Sequence, residues 1–124
     1  MKLPAKRFAD TVVLHPAGRI DPATADGFKA ALAPHLAGCA AGRDRLVLDL
    51  SGVEYISSVG LRVLMLASKQ AKAQGGALAV AGLQSVVREI FEISRFNLVL
   101  EVFPTLREAL AKLSPPALAA FDGA

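Results

Sequence analysis

With 124 residues, of which 53% are apolar and 20% charged, the chain is long enough to bury one core and too apolar for intrinsic disorder. Its net charge of +3 comes from fourteen basic residues scattered among eleven acidic ones, with one Tyr and six Phe, a mixture that argues against a nucleic-acid groove. Cys39 is the single cysteine, which excludes an internal disulfide and any multi-thiolate metal site.

Met1 to Asp10 holds no apolar run of signal-peptide kind, and the longest apolar runs, Val63 to Ala67 and Ala77 to Leu83, fall short of the roughly 18 residues of a membrane span. The expectation is a soluble cytoplasmic protein without membrane insertion. Phe8 to Ile20 reads as one or two strands, because Thr11 to Leu14 is β-branched and apolar and Ala17 to Ile20 leads out of it. Asp21-Pro22 then supplies an N-cap followed by proline at the first helical position, predicting a helix to about Leu36 whose last turn Pro34 should loosen.

Ala37 to Asp44, rich in Gly and Ala, is a loop that carries Cys39 as a small residue. Leu46 to Leu50 reads as a buried strand that Ser51-Gly52 breaks, and an apolar-periodic helix begins near Ser58 and stops at Gln74-Gly75-Gly76. Ala77 to Ala81 is a short strand. Ser85 to Ser94 is a helix with an apolar face of Val86, Val87, Ile90, Phe91 and Ile93, and Leu98 to Phe103 returns as a strand. Thr105 and Glu108 have capping-box spacing at the start of a last helix that ends near Leu113. Ser114 to Ala124, beginning Ser-Pro-Pro, cannot continue that helix and reads as a loose tail. Strands and helices alternate, which predicts an α/β layer architecture of about five strands and about four helices.

The joint between the central strand and the helix after it concentrates the functional signal. Ser57 and Ser58 flank a helix N-terminus, whose first N–H groups, including those of Gly60 and Leu61, lack intrahelical partners and favour an acceptor or an anion. At about 100° per residue, Ser58, Arg62, Met65, Lys69 and Lys72 share an outward stripe, opposite Gly60, Val63, Leu64, Ala67 and Ala71. Met65 among cations suits a surface that docks an acidic protein. The plainer reading of a serine there is an N-cap worth about 1 kcal/mol, and of the cations, solvated charge. Gly60 resists a plain reading, since glycine in a first turn costs about 1 kcal/mol relative to alanine unless close backbone approach is wanted. Asp49 reads as a partnered carboxylate near a strand end. No phosphate loop, metal-ligand spacing or nucleophile elbow is present, so the chain does not read as an enzyme.

Asp49-Leu50-Ser51, the turn Tyr55-Ile56-Ser57-Ser58-Val59-Gly60-Leu61, and the strand, helix and strand that follow resemble a STAS domain, the module of anti-sigma factor antagonists and sulfate transporter tails. The resemblance covers about Pro4 to Leu113 and leaves 114–124 outside. It implies a single α/β domain with a mixed sheet. In the antagonists the motif reads Asp-Ser-Ser/Thr-Gly-Leu, and its first serine is phosphorylated by a partner that is both anti-sigma factor and serine kinase of the histidine-kinase-like ATPase type. Counting back from Gly60-Leu61 places that acceptor on Ser58, with Ser57 where the aspartate would stand and Val59 where the second hydroxyl would.

The implied function is a partner switch that sequesters an anti-sigma factor while Ser58 is unmodified. Its surface comprises Ser57, Ser58, Gly60, Arg62, Met65 and Lys69, and it has no catalytic residue, cofactor or metal of its own. A second reading is a non-switching STAS subunit docked on a transporter complex. A third is a small anion or nucleotide held at the Ser58 helix terminus.

Overall fold

In the computed structural model, which describes residues 1–124, the chain forms seven short strands: β1 (Ala5–Phe8), β2 (Thr11–Leu14), β3 (Ala17–Ile20), β4 (Arg45–Asp49), β5 (Gly52–Ile56), β6 (Leu78–Ala81) and β7 (Glu101–Phe103). Five helices join them: α1 (Ala25–Ala37), α2 (Ser58–Ala73), α3 (Ser85–Ile93), α4 (Leu106–Leu113) and α5 (Pro115–Asp122), with a 3₁₀ turn at Phe96–Leu98. The main sheet runs β1-β2-β4-β6-β7 and is mixed, because β1 pairs antiparallel with β2 while every other pair is parallel. The α/β single domain with a mixed five-stranded sheet is therefore present.

Side chains alternate along a strand, so β2 and β4 feed two different cores. Val12, Leu14, Leu46 and Leu48 enter a cluster of 23 buried residues with Phe28 and Leu32 of α1, Leu64 of α2 and Phe91 of α3. Val13 and Val47 point the other way, into a cluster of 7 with Ala109 and Leu110 of α4 and Ala117 of α5. The continuous apolar run of β4 follows from being covered on both faces.

The first stretch expected as one or two strands is three, and β3 leaves the main sheet to pair in parallel with β5 as a separate two-stranded sheet. The helix expected from Asp21 begins at Ala25 instead. Asp21 Oδ1 accepts the N–H groups of Ala23 at 3.0 Å and Thr24 at 3.2 Å, so Asp21-Pro22 caps a turn that precedes the helix. Pro34 is accommodated inside α1, which continues to Ala37; the proline and Ala30, whose carbonyl loses its helical donor, are both exposed to solvent. Only Glu101–Phe103 of the expected strand from Leu98 is extended, since Phe96–Leu98 coils into the 3₁₀ turn. β4 does end just before Ser51-Gly52, but Gly52 opens β5, a strand not expected between β4 and the helix, and Gly76 donates to the Ala71 carbonyl at 2.8 Å to close α2 as expected of a C-terminal glycine.

The tail is not loose. Residues Pro115–Asp122 form α5, with Pro at its first positions, where no N–H is needed, and the Ser114 hydroxyl accepting from the Ala117 N–H at 3.2 Å. That hydroxyl also donates to Asp10 at 2.5 Å, Phe121 packs edge-on to Phe8 at 5.4 Å, and Arg107 pairs with Asp122 at 2.9 Å. Ser-Pro-Pro stops the preceding helix and starts another. No helix is long and apolar enough to cross a membrane.

Candidate protein-binding site at the start of α2

Because Ile20 pairs with Ile56, β3 and β5 end side by side, and the chain turns from there into α2. Ser57 is extended (φ −87°, ψ 173°), and its N–H donates to the Ile20 carbonyl at 2.8 Å. Its hydroxyl accepts from the Gly60 N–H at 3.3 Å, and its carbonyl accepts from Leu61 at 2.9 Å. Ser57 is thus the N-cap of α2, with its hydroxyl engaged by the backbone. Ser58 is the first helical residue and stands exposed.

Gly60 has the close approach its position suggested. A Cβ there would lie 2.7 Å from Ile56 Cγ1, 2.8 Å from Ile20 Cγ2 and 3.1 Å from the Ile20 carbonyl oxygen. Gly60 itself is buried, so its part in the expected partner-binding set is to seat the helix, not to present surface. Val63, Leu64, Ala67 and Ala71 are buried along the same side, while Ser58, Arg62, Lys69 and Lys72 are exposed on the other. Met65 is half-buried: part of it packs against the main core and part lines the surface.

Ser58, Arg62 and Met65 come together with Val59, Leu61 and Phe96 around an open groove of about 400 Å³. Lys69 lies farther along the helix, outside the groove. Val59, Leu61 and Phe96 were not among the sequence-predicted residues. Val59 and Leu61 could have been found from their neighbours, but Phe96 arrives from the turn after α3, which no local spacing connects to Ser58.

No residue of α2 is acidic, and Arg62, Lys69 and Lys72 take part in none of the ion pairs, which are Arg7–Asp44, His15–Asp49, Arg19–Asp21, Arg45–Asp10 and Arg107–Asp122. Asp49 is partnered as read: it accepts the Ser51 N–H at 3.0 Å and faces His15 Nδ1 at 3.4 Å. Cys39 is fully buried with its thiol 3.3 Å from the Ala77 carbonyl, and burial pushes that thiol above its ordinary range, the opposite of an activated nucleophile.

A family model described as the STAS domain matches residues 2–109. The chain belongs to the STAS domain family. This STAS chain is 39% identical over 120 residues to BtrV of Bordetella bronchiseptica, a protein named as an anti-sigma factor antagonist, in an alignment covering 95% of this chain and 98% of that protein. That identity puts it in the anti-sigma factor antagonist family. A crystal structure from Thermotoga maritima, also described as an anti-sigma factor antagonist, superposes with a TM-score of 0.80 at 25% identity, covering 90% of this chain and 93% of that one. The phosphorylated form of the Bacillus cell fate determinant SpoIIAA shares the STAS fold with a TM-score of 0.64 at 15% identity, covering 90% and 99% of the two chains.

Proposed function

We propose that the chain is a phosphorylation-controlled binding switch, which sequesters an anti-sigma factor or related switch kinase while Ser58 is unmodified and releases it when Ser58 carries phosphate. The observation that carries this reading is the division of labour between the two serines: Ser57 has its hydroxyl bonded to the Gly60 N–H, while Ser58 stands exposed on the rim of the groove with Arg62 and Met65. The partner is a serine kinase of the histidine-kinase-like ATPase type, which holds the ATP. The chain works in the cytoplasm and needs no cofactor of its own.

The physics of release is electrostatic. An acidic partner surface is drawn to Arg62, Lys69 and Lys72, which no acid of α2 neutralises. Phosphate on Ser58 adds roughly 1.5 to 2 negative charges at the rim, where the positive end of the helix dipole favours it, although the Gly60 and Leu61 N–H groups expected to be free are both taken by Ser57. The groove then meets the partner with like charge and with a bulky hydrated group between the apolar surfaces. Ser57 in place of the family's aspartate keeps an N-cap oxygen on the helix without adding charge beside the acceptor. The name of BtrV and the existence of a phosphorylated form in a protein of this fold support the reading.

The test is binding of the purified partner kinase, with phosphosite mapping after incubation with ATP. Ser58→Ala should stay bound in the presence of ATP, and Ser58→Asp, with about one charge in place of nearly two, should weaken the complex only in part. Ser57→Ala should still accept phosphate on Ser58. Phosphate mapped to Ser57, or equal affinity of Ser58→Asp and wild type, contradicts the mechanism. Intact binding with no phosphate under any condition favours the transporter-docked subunit.

A further inference from the structure

Among the large apolar side chains that stand in solvent, two are far more exposed than the rest, Ile93 at 81% and Leu98 at 77%. They flank a single knuckle. α3 ends at Ile93, Arg95 takes the left-handed conformation with φ 56°, and the Phe96–Leu98 turn follows at once. A non-glycine residue in that conformation carries strain that its surroundings must hold.

The surroundings do hold it. Ser94 Oγ donates to the Ile90 carbonyl at 2.6 Å, and the Phe96 ring packs edge-on to Phe91 at 5.2 Å. Ser68, buried on α2, donates its hydroxyl to the Val99 carbonyl at 3.3 Å. This last bond ties the knuckle to the helix that carries Ser58. Phe96, inside the knuckle, is also a wall of the groove formed by Ser58, Arg62 and Met65. The exposed apolar pair flanks the groove through Phe96 without lining it: Leu98 lines a neighbouring cavity with Ser68 and Lys72, Arg95 lies between the pair, and exposed Glu92 precedes it.

We propose that the Ile93–Leu98 knuckle is a second contact area for the partner of the Ser58 groove, fitting an apolar patch on that protein. This inference rests on the switch reading above and adds what selects the partner. A backbone already held in place adds little ordering cost on docking, so an apolar pair carried on a pinned turn is well suited to anchor a complex. Phosphate transfer involves Ser58, whereas the knuckle contributes to holding the partner. The two roles are separable by kinetics.

The experiment uses the full chain and the purified histidine-kinase-like ATPase that phosphorylates Ser58. The double variant Ile93→Ser with Leu98→Ser should lower affinity by about tenfold or more and raise the KM for phosphorylation equally, leaving kcat and the melting temperature unchanged. Leu66→Ser, which removes a 42%-exposed apolar residue from the same helix as Ser58 but away from its groove, is the control and should change neither constant. An ATPase that modifies wild type while binding the double variant within about twofold overturns the knuckle and leaves the switch standing. So does an equal loss in Leu66→Ser. If no such ATPase binds or modifies the wild-type chain, the switch reading fails and the knuckle with it.

Discussion

The backbone N–H of Ser57 donates to the carbonyl of Ile20 at 2.8 Å, so the first turn of α2 hangs from the end of β3. Through that bond a strand outside the main sheet sets where the Ser58 hydroxyl stands. The two-stranded β3–β5 sheet is thus a mounting for the site, and its integrity controls the geometry of the groove.

Gly60 tests the mounting. Alanine is the better helix former by about 1 kcal/mol, yet its Cβ would meet Ile56 at 2.7 Å and the Ile20 carbonyl oxygen at 3.1 Å. Because the carbonyl is backbone and already accepts from Ser57, it has little room to yield. Gly60→Ala should therefore destabilise the fold by about 1–3 kcal/mol in urea unfolding. A variant as stable as wild type would mean that α2 can slide along the strand ends.

Met65→Glu separates binding from folding. The side chain is half-buried and lines the groove, so a carboxylate there places negative charge beside Ser58 while its stem retains part of the packing. Partner affinity should fall by about tenfold or more, with a stability loss of about 1 kcal/mol. A loss of several kcal/mol in thermal unfolding would show that Met65 serves the core first.

Leu48 and Leu64 face each other's layers, one in β4 and one on the inner side of α2, and both are fully buried. Truncating either to alanine should cost about 2–5 kcal/mol, the spread reflecting how far the neighbours can collapse into the space. Denaturant midpoints at constant slope would measure it. A cost below about 1 kcal/mol for Leu64→Ala would argue that α2 is not a core layer.

Acid should loosen the contact between Asp10 and the start of α5. The hydrogen bond from Ser114 is the largest influence holding the Asp10 carboxyl below its ordinary range; the charge of Arg45 adds to it, and burial opposes both. Since the folded value lies below the unfolded one, the stabilisation is fully present above the unfolded value of about 4 and is lost as pH falls through the folded value. Asp44, lowered chiefly by its hydrogen bond from Arg7, acts in the same direction. Asp10→Asn should be less stable than wild type at pH 7, with the gap narrowing below about pH 4. A gap independent of pH in paired denaturation curves would exclude this coupling.

Much of the architecture could be read from local pattern. The apolar run of β4, the period of α2 and the glycines after it are signals carried within a few residues, and so is the Thr105 cap of α4, whose hydroxyl accepts from Glu108 at 3.1 Å. The order Ser57, Ser58, Gly60 and the cationic stripe of Arg62, Lys69 and Lys72 were legible for the same reason. α5 was legible in principle, since Ser114 followed by proline is a helix start as well as a stop.

Other features belong to the tertiary structure alone. β3 and β5 are four and five residues long, each contains a glycine, and they pair only with each other while Ile20, Val53 and Ile56 bury in the main core; the pairing of Ile20 with Ile56 spans an entire helix and strand of intervening chain. Phe96 reaches the Ser58 groove only because α3 folds back over β5 and the αL turn at Arg95 points it there. The burial of Gly60 against Ile20, which turns a poor helix former into a requirement, is likewise a long-range contact. The sequence by itself determined which segments are helices with one apolar side and where an exposed serine begins the second of them, because those properties depend on spacing along a few turns. What surrounds that serine was decided by contacts between residues distant in the chain, whose favourable energy appears only once the layers have closed.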